Sequence, residues 1–264
     1  MVGREGLRPS VDATPYFAQT YTEARAKFLA AATAADLAVQ SHPHPLRGRD
    51  GEALAMDVAR CGPADAPAVL LVSSACHGVE GFCGSGVQNA LLSDAGFHAA
   101  AAAAGVAVLY IHALNPWGFS WWRRTTHENV DLNRNWQDFS QPLPANADYD
   151  ELAHLLVPPA WPPAPQVQAA IDAFVARRGA MALQTAVSGG QHRHPKACST
   201  AAATRPGAAR LWAMCWPTTA AVARGWAGST CTPAWAPAAM ASASTPTATT
   251  RRRWRGHATG GAPP

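Results

Sequence analysis

Apolar positions recur at helical spacing near the start of the chain, where Phe17, Tyr21, Ala24, Phe28, Leu29 and Ala32 fall on one stripe within residues 17–40. The many alanines around them favour the same conformation, so this stretch predicts a helix. Leu54–Ala59 alternates with period two, as a half-buried strand does. Ala68–Ser73 is a nearly unbroken run of Val and Leu between Pro67 and Gly78, which predicts a strand buried on both faces in a parallel sheet. Phe82–Leu92 predicts the next helix, Ala99–Ala104 another or its end, and Gly105–His112 a second buried strand. Glu151–Val157 and Gln166–Arg177 predict two more helices around the proline cluster Pro158–Pro165. Strand–helix–strand alternation implies an α/β fold with a parallel or mixed sheet. Such sheets bind ligands beyond the carboxyl ends of their strands, which is where candidate chemistry is to be sought.

The pattern stops near Lys196. Residues 196–264 contain no Ile, Phe, Tyr, Asn, Gln, Asp or Glu, and their only branched aliphatics are Leu211 and Val222. Five Trp are scattered there at no regular period. A segment without a regular apolar face cannot offset the entropy of ordering its backbone, so an irregular, disordered tail is expected. The chain thus divides into an α/β domain over residues 1–195 and a low-complexity tail over 196–264. The tail's Ala, Arg, Pro and Trp richness is also what GC-rich DNA yields in a wrong reading frame, which points to a frameshift near Pro195.

Charge sharpens this division. The net charge is +4, yet all 17 acidic residues lie at or before Asp172, against 10 Lys and Arg in the same stretch. The remaining residues carry 11 Lys and Arg and no acid. A basic tail with interspersed Trp is one route to nucleic-acid binding. It is disfavoured here because only Arg251–Arg255 is clustered and no periodicity puts the Trp on one face. Steep loss of binding with salt would restore that reading. No apolar stretch is long enough to span a bilayer, and Met1–Phe17 lacks an apolar signal core. A cytoplasmic chain with no membrane partner is therefore expected, with its six Cys as reduced thiols.

Two constellations carry chemistry. Ser73-Ser74-Ala75-Cys76-His77-Gly78-Val79-Glu80-Gly81 lies between a predicted strand and a predicted helix. On a sharp turn, His77 and Glu80 can aim at one point, and an imidazole and a carboxylate suit Zn²⁺. Alone, such a pair is more often an ordinary surface pair; its place at a strand's carboxyl end raises its weight. The second constellation is Asn115-Pro116-Trp117-Gly118-Phe119, then Arg123-Arg124, then Asp131-Leu132-Asn133-Arg134-Asn135-Trp136. Guanidinium groups grip carboxylates in a bidentate fork and stabilise oxyanions, and Asn133 adds a neutral donor. The bland alternative is a solvated basic turn beside a Trp-rich patch. Cys76 and Cys83 read as small buried hydrophobes rather than nucleophiles, and His127 and Glu128 as loop residues.

In this order and approximate spacing, the two constellations resemble the zinc metallocarboxypeptidases of the carboxypeptidase A type, nearest to a bacterial branch with a His-Gly-Val-Glu-Gly core. The resemblance covers roughly Ala53 to Pro195. It implies a mixed, largely parallel sheet flanked by helices, incomplete in this chain and followed by the irregular tail. It implies one zinc ion held by His77 and Glu80, a substrate carboxylate held by Asn133 and Arg134, and a scissile carbonyl polarised by Arg124. The substrate class implied is a small peptide or an acylated amino acid.

The family pattern is not completed. Its third zinc ligand is a downstream His, usually in an Asp-Leu-His-Thr-Gly string, and its general base is a later Glu. No Glu follows Glu151, and His257 has no strand-like surroundings. His192 and His194 sit in a Gly-Gly-Gln-His-Arg-His-Pro segment that resembles a substrate-pocket loop. Lys196–Ala202, translated two bases later, can encode Gly-Leu-Phe-Tyr-Gly-Gly. The same offset lets Ala227–Pro233 encode Trp-Ile-Asp-Leu-His-Thr. With two protein ligands, zinc binding is expected to be weak and catalysis impaired. The loss of strands from the missing segment is expected to leave an apolar sheet edge open. Three readings follow: a zinc hydrolase of amide bonds next to a free carboxylate, a deacylase or amidohydrolase of the same fold, and a non-catalytic, truncated pseudoenzyme.

Overall fold

The structure is a computed structural model that describes residues 12–135 and 137–194, and residues 225–230 as backbone. Five strands form one mixed sheet: β1 (Val39–Arg47), β2 (Ala53–Cys61), β3 (Ala68–Ser73), β4 (Val106–His112) and β5 (Gly225–Thr230), in the order β1-β2-β4-β3-β5. β2 pairs antiparallel with β1 and with β4, whereas β3 runs parallel to β4 and to β5. Among the described residues, seven α-helices accompany them: α1 (Tyr21–Ala34), α2 (Gly81–Leu92), α3 (Ala95–Ala103), α4 (Pro116–Ser120), α5 (Ala147–Leu156), α6 (Pro165–Arg178) and α7 (Ala180–Ser188). The α/β class with a mixed sheet and flanking helices is as the sequence predicts.

β3 and β4 are the central pair, aligned from Ala68↔Val106 to Ser73↔Ile111. Their apolar runs serve both faces of the sheet. Val69, Leu71, Ala107, Leu109 and Ile111 join Met56 and Val58 on one face. Val72, Val108 and Tyr110 meet Phe28 and Ala32 of α1 and Leu92 of α2 on the other. β2 is buried along Leu54–Ala59 rather than on alternate positions, because both of its faces are covered. α5, α6 and α7 share a separate small core of Leu152, Phe174 and Ala186.

Three further features depart from the sequence expectations. The first helix ends at Ala34, followed by Asp36 at φ 56°, and residues 39–47 form β1 instead. β1 has two prolines and a largely exposed pattern, which an edge strand tolerates because one side needs no ladder partner. α7 went unpredicted between α6 and the Gly-Gly turn. The edge of β3 is also not open, since β5 pairs with it from Ala68↔Gly225 to Ser73↔Thr230. β5 lies within the stretch expected to be an irregular tail; the rest of that tail, and the shifted reading frame inferred for it, fall outside the described residues. Among the described residues, no helix is long and apolar enough to cross a membrane.

α2 is seated by polar contacts as much as by apolar ones. Gly81, Gly84, Ser85, Gln88, Asn89 and Leu92 recur at helical spacing and are all buried. The Gln88 amide donates to the carbonyls of Val72 and Ile111 at 2.9 and 3.0 Å, so it ties the ends of β3 and β4 together. Ser85 Oγ lies 3.0 Å from Nε2 of the fully buried His112. These contacts fix the position of the turn between β3 and α2.

Candidate functional site

β3 ends at Ser73, and the chain turns through Ala75, whose φ of 55° lies in the left-handed region. The turn is clamped to the segment after β4: Ser74 N–H donates to Ile111 O at 3.1 Å, Leu114 N–H to Ser74 O at 3.0 Å, and Asn115 N–H to Ala75 O at 3.0 Å. His77 follows in extended conformation, and a 3-10 turn over Gly78–Glu80 leads into α2. Gly78 is required by proximity. A Cβ there would stand 2.0 Å from the carbonyl carbon of Gly118 in α4. The two strand-end segments therefore touch backbone to backbone, which holds His77 at the carboxyl rim of the sheet.

His77 is 3% exposed and lies between two carboxylates. Its Nδ1 is 3.0 Å from Glu80 Oε1 and its Nε2 is 3.0 Å from Asp131 Oδ1. Asp131 is fully buried and opens the short 3-10 turn Leu132–Arg134. Oδ1 of Asp131 also accepts from the Asn133 N–H at 3.0 Å, and its Oδ2 accepts from Arg124 Nε at 3.0 Å. Burial pushes the Asp131 carboxyl up, but the hydrogen bond from His77 and the Arg124 guanidinium outweigh it and hold it below its ordinary range.

An ionised Asp131 can only accept, so Nε2 carries the hydrogen and the Nδ1 lone pair of a neutral ring faces Glu80. Two lone pairs at 3.0 Å repel unless a positive centre lies between them, either a proton or a metal ion. Glu80 Oε2 is a buried oxygen with no hydrogen-bond partner. An imidazole aimed at a carboxylate, backed by a second carboxylate, together with an orphaned carboxylate oxygen, fits a divalent cation.

Arg124 reaches the same place, with Nη1 3.8 Å from Glu80 Oε1. Asn133 joins it: its Nδ2 lies 3.3 Å from His77 Nε2, and its Oδ1 accepts from the Cys76 thiol at 3.2 Å. His77, Glu80, Arg124 and Asn133 thus meet. Arg134 is held elsewhere, with Nε donating to Ser188 O at 2.7 Å at the end of α7. Burial, reinforced by the charges of Asp131 and Glu80, pushes the Cys76 thiol up to about 12, so it stays protonated. Cys76 is half-buried and used as a donor, and Cys83 is exposed on α2; neither is the small buried hydrophobe expected. Cys83 misses the core because α2 buries positions 81, 84, 85 and 88 and turns position 83 outward.

The other histidines lie apart. His127 stands edge-on to His44, with ring centroids 5.0 Å apart, and His194 pairs with Asp150 at 2.9 Å. His257 is outside the described residues. Among the described residues, no group of three or more His, Cys, Asp or Glu side chains surrounds a common point. Asp131 does not supply a third ligand because it occupies the opposite ring nitrogen. It is the member of this cluster to which the sequence analysis gave no role. Its signal was its place at the head of the Asp-Leu-Asn-Arg string, but its partner lies 54 residues away.

No curated protein matches the chain. Among solved structures, the chain is similar to a glutaminyl cyclase from Porphyromonas gingivalis, at 15% identity and a TM-score of 0.22 over 39% of this chain and 47% of that one. It is also similar to the esterase LipW from Mycobacterium marinum, at 18% identity and a TM-score of 0.19 over 34% of this chain and 26% of that one. The chain thus spans about half the length of the cyclase and a quarter of the esterase. At TM-scores this low, neither likeness bears on fold or chemistry. Residues 17–200 match the family described as Protein of unknown function (DUF2817), and with most of its length inside that match the chain belongs to the DUF2817 family.

Proposed function

We propose that this chain has the site of a zinc-dependent hydrolase acting on amide bonds next to a free carboxylate, in a form impaired for turnover. The observation that carries this reading is the geometry of His77: Nδ1 directed at Glu80 at 3.0 Å, with Nε2 anchored on the buried Asp131. His77 and Glu80 would hold the ion, and Asp131 would fix the ring and its tautomer. Bound zinc would supply Lewis acidity and a water of lowered pKa. Arg124, tethered by Asp131 beside Glu80, would stabilise charge developing on a scissile carbonyl oxygen. Asn133 and Arg134 would receive the substrate's carboxylate, which selects a small peptide or an acylated amino acid.

The impairment follows from the donor set. Catalytic zinc sites use three protein ligands and a water, and the described residues bring two to one point. The same observation favours a second reading, a non-catalytic pseudoenzyme with residual metal affinity. A deacylase of the same fold differs from the first reading only in what the substrate pocket admits.

Equilibrium dialysis of the full chain against zinc, combined with hydrolysis of an N-acylated amino acid, tests the proposal. The expected result is one weakly held ion per chain, lost in His77→Ala, with hydrolysis slow but zinc-dependent. Zinc binding without any zinc-dependent hydrolysis selects the pseudoenzyme. No zinc uptake overturns both.

A further inference from the structure

Arg134 is the one candidate site residue whose side chain is held by a part of the molecule that the metal centre does not use. Its Nε–H donates to Ser188 O at 2.7 Å. Its aliphatic stem lies on Gly190, where a Cβ would come within 2.8, 2.9 and 3.1 Å of Arg134 Cβ, Cγ and Cδ. Gly190 also has φ +85°, a conformation that side chains rarely adopt. The turn that carries both groups is itself fixed. Gly189 N–H donates to Thr185 O at 2.8 Å, and the Asn146 amide donates to Ala186 O at 3.0 Å and Gly190 O at 2.9 Å. Asn146 Oδ1 meanwhile accepts from Tyr149 N–H and caps α5.

We infer that Gly190 is a positioning residue for Arg134, and that Asn146 and the Ser188 carbonyl complete a clasp through which α5 and α7 set the recognition of the substrate's carboxylate. This rests on the proposed role of Arg134. The reasoning is steric and electrostatic. With Nε on Ser188 O, the Nη pair is the part of the guanidinium left to form a fork with a carboxylate. A fork tolerates little rotation. The clasp fixes that rotation at two points, the stem on Gly190 and Nε on Ser188. A methyl group on Gly190 pushes the stem away and breaks the alignment without touching His77 or Glu80.

The test is binding of N-benzoylglycine and of its primary amide to the full chain by calorimetry. The wild type is expected to prefer the carboxylate. Gly190→Ala is expected to weaken the carboxylate by about tenfold, the scale of a lost charge-assisted hydrogen bond, and to leave the amide unchanged. Gly179→Ala is the control: Gly179 has φ +88°, but a Cβ placed there meets nothing within 4 Å, so the change strains the backbone in a similar way and displaces no side chain. It is expected to lose stability and keep the preference. In an Arg134→Ala background, Gly190→Ala is expected to cost no further carboxylate affinity, whereas a merely structural effect would add. Asn146→Asp keeps the cap but loses both amide donors, and it is expected to weaken the carboxylate several-fold. It provides the measurement if Gly190→Ala does not fold. A wild type without preference for the carboxylate overturns the role of Arg134 and this inference with it. A preference that survives Gly190→Ala and Asn146→Asp, or a loss additive with Arg134→Ala, overturns this inference alone.

Discussion

At the scale of single residues, Asp131 decides how His77 behaves. It fixes the hydrogen on Nε2, directs Nδ1 at Glu80 and anchors Arg124. Asp131→Asn is therefore expected to lower zinc affinity by about 10- to 100-fold while leaving both proposed ligands in place. Equilibrium dialysis of the variant measures this; unchanged affinity would mean that Asp131 does not orient the ring. His112 makes a separate prediction. It is stacked on Phe28, with centroids 4.7 Å apart, and burial pushes its pKa down from 6.5 to about 4. A depressed base favours the neutral folded form, so its contribution is complete above pH 6.5 and is lost as pH falls to about 4. The loss is on the order of 3 kcal/mol at 1.36 kcal/mol per unit. Chemical denaturation of wild type and His112→Gln at intervals across that window should show the acid-side decline reduced in the variant. Parallel curves would contradict it.

The legible residues were those whose partner is nearby in sequence. His77 and Glu80 are three residues apart, and their turn is bounded by glycines and a strand of Val and Leu, so their convergence could be read from order alone. Asp131 and the tether on Arg134 could not, because a spacing of 54 residues is resolved only by tertiary structure. The same limit explains Cys76, which reads as a buried hydrophobe from the burial habit of free Cys, whereas its thiol donates to Asn133, 57 residues away.

At the scale of elements, β3, β4 and α2 were legible because their apolar runs are bounded by Pro and Gly. β1 was not, since its prolines and polar residues give no apolar run, and only pairing with β2 makes it a strand. The turn between β3 and α2 depends on backbone contact with α4. Gly78→Ala places a methyl group against Gly118 at 2.0 Å, where no flexible side chain can yield. The expected outcome is a destabilisation of about 1–3 kcal/mol or more, the range for overfilled interiors, together with loss of zinc binding. Thermal unfolding of the variant reports the first and dialysis the second. A stable variant that still binds zinc would show that the turn does not depend on this contact.

At the scale of the molecule, charge and apolar patterning change along the sequence. All the acidic residues lie at or before Asp172, and the regular apolar patterns end near Lys196. β5 shows that the sheet has a place for a strand beside β3, at the edge where the shifted frame would encode a His-bearing strand. A chain rewritten in that frame from codon 196 is expected to bind zinc at least about tenfold more tightly than this one, because the His it encodes would join the two proposed ligands. Equal affinities would mean that the tail contributes no ligand in either frame. Nucleotide sequence across codons 190–200 tests the frame itself.

Zinc-edge X-ray absorption of the full chain loaded with a single equivalent tests most directly whether one cation is held between His77 and Glu80. The predicted spectrum has a shell of nitrogen and oxygen only, with the outer scattering of one imidazole, and loses that imidazole signal in His77→Ala. A sulfur-containing shell, or a spectrum unchanged by His77→Ala, would contradict it.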